Sequence, residues 1–171
     1  ISASTEPENL AVNCIRFEIE ENKLKLISSD TYRLTYIEEE LEENEKNKEG
    51  LSVSIPLKTI DGLIKIMRLI NEDNIIFKSD GTRVFFKFSN IEILTRVIEL
   101  QFPDYKSILK SAQHDKKILL NTKDFLSVLK RTLIFVRDNK DSKNGGIFNF
   151  ENKKLVLTGI NENAKIKEEL V

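Results

Sequence analysis

Basic side chains spaced for one face of a helix are the first candidates for chemistry in this sequence. Lys58 and Lys65, with Arg68 close by, lie in SIPLKTIDGLIKIMRLI; Lys123, Lys130 and Arg137 lie in LLNTKDFLSVLKRTLIFVR. A spacing of seven is nearly two helical turns, so the residues in each set share one side. Placed that way they can meet a phosphate backbone, with affinity that falls as salt rises. On spacing alone they also suit ordinary solvated helix faces. Groups for reaction chemistry are scarce. The single histidine, His114, sits in polar SAQHDKK without a Ser or Cys elbow and reads as a surface residue. Cys14 falls in a strand pattern and reads as packing. No cysteine–histidine cluster suits a metal. Gly145–Gly146 is a lone pair and not a phosphate-binding loop. The many carboxylates lie in surface-like charge runs. Nothing here argues for an enzyme or a cofactor.

Composition narrows the field further. The chain has 171 residues, 40% hydrophobic and 32% charged, as in a soluble globular protein of one large domain or one and a half small ones. No apolar run is long enough for a membrane span, and no stretch resembles a signal peptide. One cysteine excludes an internal disulfide framework and fits a reducing compartment. The net charge is −1, whereas proteins that hold nucleic acid by bulk charge are strongly basic, so any such role must use local charge placement.

The elements that would position these residues follow from periodicity. Val12–Asp30 alternates as a hairpin with Glu21–Asn22 at its turn, and Thr31–Ile37 continues as a strand. Glu38–Gly50, with seven glutamates, reads as a solvated loop. A strand over Leu51–Ile55 leads to a helix over 57–70 whose apolar stripe is Ile60, Leu63, Ile64, Met67 and Ile70. Asn74–Ser89 is a hairpin, with Asp80–Gly81 expected in a type I′ turn; Ile91–Leu100 adds a strand. Ser107–Lys116 reads as a polar connector and Lys117–Leu120 as a strand. The second helix, 122–137, has Phe125, Leu129, Thr132, Leu133 and Val136 as its stripe. Asp138–Asn144 reads as a loop, Gly146–Asn161 as a third hairpin and Ala164–Val171 as the start of another strand.

Lys58 and Lys65 match Lys123 and Lys130 at an offset of 65 residues; Glu20, Lys23, Leu24 and Leu26 match Glu151, Lys154, Leu155 and Leu157 at about twice that. The fixed offsets indicate an internal repeat of strand, helix, hairpin and further strand. By this arithmetic a helix precedes Val12, Ile1–Thr5 is its tail, and the chain is a fragment of a longer protein.

Two stretches are more specific than the pattern around them: Ser28-Ser29-Asp30-Thr31-Tyr32-Arg33-Leu34 and Gln101-Phe102-Pro103-Asp104-Tyr105. With the repeat, they resemble the bacterial sliding clamp family, the β subunit of replicative DNA polymerase III, whose middle domain has a D-x-(H/Y)-R-L strand and ends in F-P-D-Y. The resemblance implies an α+β DNA-clamp fold, with antiparallel sheets outside and helices lining a concave face. Residues 1–110 would be the middle domain, lacking its first strand and most of its first helix, and 111–171 the first half of the C-terminal domain. It also implies a non-catalytic, cytoplasmic processivity subunit, a ring homodimer in its full length. Such a ring encircles duplex DNA without sequence preference, facing it here with Lys58, Lys65, Arg68, Lys123, Lys130 and Arg137. Asp61 and Glu72 interrupt the first basic stripe, so the contacts should be weak.

The family further implies a pocket for short peptides of polymerases, the clamp loader and repair proteins, typically of Q-L-x-L-F type. Carried over by position, its wall would include Val12, Ser29, Thr31, Tyr32, Arg33 and Leu34 from one segment, and Pro103, Ser107 and Ile108 from another. Ser107 stands where many members have a basic residue, Thr31 where glycine is common, and Leu100 where a glycine often precedes FPDY. Phe102 and Tyr105 read on their own as core packing. The alternative is a repeat-built protein–protein interaction module with no DNA role.

Overall fold

The computed structural model describes residues 2–41, 50–70, 74–112, 118–136, 145–151, 154–160 and 165–170, and the chain divides into two units, Ile1–Ala112 and Gln113–Val171.

In the first unit, alternation dictates the sheet. Strands β1 (Cys14–Glu20), β2 (Lys23–Ser29), β3 (Leu34–Glu40) and β4 (Leu51–Pro56) pair antiparallel in the order β3-β2-β1-β4. Between β1 and β4 the register sets Ile15 opposite Ile55, Phe17 opposite Val53 and Ile19 opposite Leu51, with Arg16–Ser54 and Glu18–Ser52 on the other face. The apolar face packs on helix α1 (Leu57–Met67) and on a second antiparallel sheet, β5 (Ile76–Ser79), β6 (Arg83–Phe88) and β7 (Ile91–Arg96). Val53, Ile55, Ile60, Leu63, Val84, Phe86 and Phe88 are the buried centre of that core. Pro56 starts α1, where its missing N–H removes nothing from the helical ladder.

Several boundaries depart from the sequence reading. The core stripe of α1 is rotated: Ile60 and Leu63 are buried and Ile66 and Ile70 pack beside them, while Ile64 and Met67 are 43% and 47% exposed. The residues allow either arc, and the sheet beneath selects one. β3 begins at Leu34 and runs to Glu40, because Glu38 and Glu40 stand opposite Lys25 and Lys23 and Lys23 Nζ binds Glu38 at 2.7 Å. The rest of that acidic run, 42–49, lies outside the described residues. β7 stops at Arg96; beyond it Val97 N–H still donates to Thr82 O, and Ile98 N–H then donates to Ser54 O.

The type I′ conformation occurs at Glu21–Asn22, with φ of 50° and 68°, and not at Asp80–Gly81, where only Gly81 has positive φ. β5 and β6 instead close over the four residues 80–83, with Ser79 opposite Val84. The supposed connector holds helix α2 (Tyr105–Ser111), whose N-terminus is capped by the Asp104 carboxylate accepting from Ser107 N–H. No helix occupies residues 2–13; there Ser4 N–H donates to Val12 O, and the Asn13 side chain donates to Ser4 O.

In the second unit, α3 (Thr122–Val136) lies against β9 (Lys154–Ile160) and β10 (Lys165–Leu170) in a sheet of order β10-β9-β8, with β8 Ile147–Glu151. Val128, Thr132 and Val136 are its buried stripe; Leu133, expected inside, is 53% exposed, one residue and so about 100° round the helix from Thr132. Residues 118–120 are not a strand: β4 has β1 as a ladder partner, and 118–120 has none among the described residues. Glu151 opposite Lys154 repeats Glu20 opposite Lys23, so the hairpins matched in sequence share their closing pair.

At Gly159 α3 comes close to β9. A Cβ there would stand 2.8 Å from Val136 Cγ1, 2.9 Å from Thr132 Cγ2 and 3.0 Å from Ile166 Cγ2, all on stiff β-branched side chains. Gly159→Ala should destabilise by about 1–3 kcal/mol, the usual range for overpacking. Chemical denaturation of wild type and variant measures it, and an unchanged midpoint would contradict the close packing.

Candidate functional site

The segments singled out by sequence meet on the outer face of the first sheet. Cys14, Ile27, Phe102 and Tyr105 form a small buried cluster, with Leu34, Tyr36 and Ile98 packed against it. The FPDY segment is therefore a clasp: Phe102 and Tyr105 enter the cluster, Asp104 caps α2, and the Tyr36 and Tyr105 rings stack 6.0 Å apart.

Beside the cluster lies a buried carboxylate. Glu18 accepts from Tyr105 Oη at 2.6 Å and from Arg16 Nε at 3.2 Å, with Lys106 Nζ 3.7 Å away. Burial raises its pKa, but the two hydrogen bonds and the cations outweigh this and hold it below the usual carboxylate range. Burial, then the Glu18 hydrogen bond, pushes the Tyr105 phenol well above its ordinary value. Sequence reasoning missed this link. Its only signal was a glutamate on the polar side of an alternating strand. Burial likewise pushes the Cys14 thiol up, and its Sγ donates to Ala11 O, so Cys14 is packing and not a nucleophile. Among the described residues no cluster of His, Cys, Asp and Glu could hold a metal. His114 lies outside the described residues.

The Ser29–Leu34 stretch is a tight loop between β2 and β3, not a continuous strand. Ser29 Oγ donates to Arg33 O and accepts from Thr31 N–H. Asp30 Oδ1 accepts from Tyr32 N–H and Arg33 N–H, and its Oδ2 accepts from Arg33 Nε at 2.8 Å. The same bonds recur fifty residues on, in Ser79-Asp80-Gly81-Thr82-Arg83: Ser79 Oγ to Arg83 O, Gly81 N–H to Ser79 Oγ, Thr82 and Arg83 N–H to Asp80 Oδ1, and Arg83 Nε to Asp80 Oδ2. Ser-Asp-x-x-Arg is thus a self-closing loop used twice. Its third position has positive φ both times, 74° at Thr31 and 88° at Gly81.

The expected groove residues are placed unevenly. Leu34 and Pro103 are half-buried at the clasp, Val12 is buried, Ser107 is spent on Asp104, and Ile108 is 48% exposed on α2. Tyr32 is 90% exposed at the loop tip, and Arg33 is held by Asp30. Thr31, Tyr32 and Arg33 line a depression of about 400 Å³ with Ser4, Glu6 and Asn9, neighbours the sequence did not signal. Pro103 instead lines a separate polar depression with Arg16, Glu18 and Lys106. The expected groove residues therefore do not line a single cavity.

Of the basic residues, Lys58, Lys65 and Arg68 are exposed on or just beyond α1, and Lys123 and Lys130 are exposed on α3. None of the five pairs with a carboxylate among the described residues. Arg137 lies outside the described residues.

The DNA polymerase III beta subunit central-domain family model matches residues 1–104. The Beta sliding clamp of Staphylococcus epidermidis is 29% identical over 137 residues, which is 80% of this chain and 34% of that protein. The sliding clamp of Bacillus subtilis has a crystal structure that superposes with a TM-score of 0.81 at 22% identity, covering 99% of this chain and 44% of its own. So does the DNA polymerase III subunit beta of Bartonella birtlesii bound to griselimycin, TM-score 0.81 at 22% identity, covering 99% and 45%. The chain spans about a third of the length of the curated relatives it matches. No helix of the described residues is long and apolar enough to cross a membrane.

The twin loops make two predictions. Left-handed φ costs a β-branched residue about 1–2 kcal/mol, partly offset by the greater chain entropy of glycine, so Thr31→Gly should stabilise by about 0.5–1 kcal/mol. Gly81→Thr should cost a similar amount, since nothing stands within 4 Å of a Cβ there. Urea denaturation of both variants decides it; equal midpoints would mean that neither φ is held. The second concerns acid. The Arg83 N–H, the Thr82 hydroxyl and N–H, and the Arg83 guanidinium hold the Asp80 carboxyl at about 2, below its ordinary 3.8. A depressed carboxylate stabilises the fold above the ordinary value, and that stabilisation disappears as pH falls from about 4 to about 2. Asp80→Asn should flatten this limb of a stability–pH curve; an unaltered limb would assign it elsewhere.

Proposed function

The chain belongs to the DNA polymerase III β-subunit family, and we propose that it serves as part of a sliding clamp, a non-catalytic cytoplasmic ring that tethers the replicative polymerase to duplex DNA. On this reading Ile1–Ala112 corresponds to the middle domain, taken in sequence as 1–110, and the second unit to the first half of the C-terminal domain. The carrying observation is the two-faced helix, present twice. α1 and α3 each bury one arc on a sheet and leave lysines seven apart with no carboxylate partner among the described residues. Free lysines on an otherwise near-neutral chain suit weak, sequence-independent phosphate contacts that permit sliding. Lys58, Lys65, Arg68, Lys123, Lys130 and Arg137 would face the DNA, and two copies of the full-length chain would close the ring.

The partner site is the groove bounded by Val12, Ser29, Thr31, Tyr32, Arg33, Leu34, Pro103, Ser107 and Ile108. It would take the apolar-anchored peptides of polymerases, the clamp loader and repair proteins. Leu34 beside the clasp supplies an apolar floor, and exposed Tyr32 and Ile108 supply surface that a peptide could cover. Arg33 arrives already paired, so its role is to hold the loop more than to bind a ligand charge.

The test uses the full-length clamp. A labelled Q-L-x-L-F-type peptide should bind with Kd on the order of micromolar, because ordering a flexible peptide offsets much of the burial gained. Leu34→Asp should abolish binding by setting an unpaired carboxylate in an apolar site. Exposed Ile108→Asp should weaken it without loss of fold, and Tyr32→Ala should weaken it least. Equal affinity for wild type, Leu34→Asp and Ile108→Asp would remove the groove. Lys65→Glu with Lys130→Glu should reduce retention on circular DNA and lower the salt slope by about 0.9 for each phosphate no longer neutralised; unchanged retention and slope would remove the DNA face.

A further inference from the structure

The outward face of the β5-β6-β7 sheet is unlike an ordinary solvated sheet face. Alternation buries Val84, Phe86 and Phe88 on the inner side and should leave polar residues outside. Instead Ile76, Phe85 and Leu94 are 52%, 40% and 55% exposed there. Phe85 stands directly opposite Leu94, and Ile76 lies one strand further, diagonal to Phe85. The three form a stripe across the whole sheet, lining a depression of about 520 Å³ flanked by Lys78, Lys87 and Glu92.

The charges on this face are unbalanced. Glu92 holds Lys87 at 2.6 Å and Asp80 holds Arg83 at 3.0 Å. Lys78, opposite Phe85, and Arg96, opposite Arg83, pair with no carboxylate among the described residues, although Glu99 lines a neighbouring depression with Arg96. The apolar stripe is therefore bordered by two free cations.

We propose that this face docks a short acidic amphipathic helix of a partner protein. The spacing fits a helix. Two strand separations of about 4.8 Å and a two-residue diagonal of about 6.8 Å put Leu94 about 12 Å from Ile76. Apolar residues at i, i+4 and i+8 of a helix cover that distance, at about 1.5 Å per residue. Acidic residues flanking such an apolar row would meet Lys78 and Arg96. Duplex DNA suits the surface poorly, because the centre of the patch is apolar and only its border is basic. The surface lies on a different sheet from the peptide groove, and the inference does not depend on that site.

The test titrates a fluorescein-labelled sixteen-residue helical peptide, leucines at i, i+4 and i+8 and glutamates beside them, into the full chain. Binding in the range of tens of micromolar is expected at low salt, weakening several-fold as salt screens the border. Phe85→Ser and Arg96→Glu should each raise Kd about tenfold, and Leu34→Asp should leave it unchanged. Arg96 is exposed, so its variant reads the site even if Phe85→Ser perturbs folding. Absence of binding at millimolar peptide, or equal affinity for Arg96→Glu, overturns the proposal. So does displacement by duplex DNA, which would make the face a nucleic-acid contact, or concentration-dependent self-association through Phe85, which would make it a contact between copies. Loss of binding in Leu34→Asp alone would move the peptide to the groove, removing this site while leaving the function reading standing.

Discussion

The pairing of β1 with β4 is the constraint on which the first unit rests. It brings together strands separated by two others in sequence, and its register decides which residues face which core. With Ile15 against Ile55 and Phe17 against Val53, the inner face is continuous and α1 and the second sheet can close over it. A slip of one residue would turn Arg16 and Glu18 inward and expose the apolar set. The same register presents Glu18 outward, where Tyr105 reaches it, so one ladder fixes both the main core and the seat of the FPDY clasp. The buried carboxylate is tolerable only because hydroxyl and guanidinium donors meet it.

The two Ser-Asp-x-x-Arg loops show how a motif can be specific in sequence yet structural in its first duty. The polar atoms that mark it are turned on the loop itself: serine on the arginine carbonyl, aspartate on two amide hydrogens, and the arginine side chain on the aspartate carboxylate. What the loop offers outward is its tip, Tyr32 in one copy and Thr82 in the other. The copy near the clasp carries threonine at the left-handed position and the other carries glycine, so the groove-side loop holds a strained residue that its twin does not need.

Much of this was legible in the chain. Alternation located β1, β2, β5 and β6, and the 3.6-residue period located α1 and α3, because those patterns follow from one buried face. The fixed offsets located hairpins that share a closing pair. The missing parts fail for one reason: they depend on a partner that the sequence does not name. Ile64 and Ile66 are equally apolar, and only the sheet beneath α1 selects Ile66. Residues 118–120 look like a strand but have no ladder to join among the described residues. Asp80–Gly81 has the composition of a type I′ turn, but the Asp80 carboxylate captures the Thr82 and Arg83 amides and makes a wider loop, while Glu21–Asn22, with no glycine, takes the tight turn. The residues assigned to a peptide groove come as a set only from the resemblance, and in the folded chain Thr31, Tyr32 and Arg33 line one depression and Pro103 another.

The basic faces of α1 and α3 illustrate why exposed lysines alone cannot define a site. A solvated lysine and a phosphate-binding lysine have the same surroundings in the free protein. Many of the other surface cations are paired, whereas these lysines have no carboxylate partner among the described residues. Lys23, Lys25, Lys87, Lys106, Arg83 and Arg131 are all occupied by carboxylates, several of them across strands. Lys58, Lys65, Lys123 and Lys130 pair with no carboxylate among the described residues, although Asp61 shares α1 with the first two and Asp124 lies in the first turn of α3. An exposed ion pair contributes little stability, so leaving these four unpaired costs the fold almost nothing while keeping their charge free for an anionic partner. A chain of net charge −1 can in this way be locally basic where its cations stand unpaired.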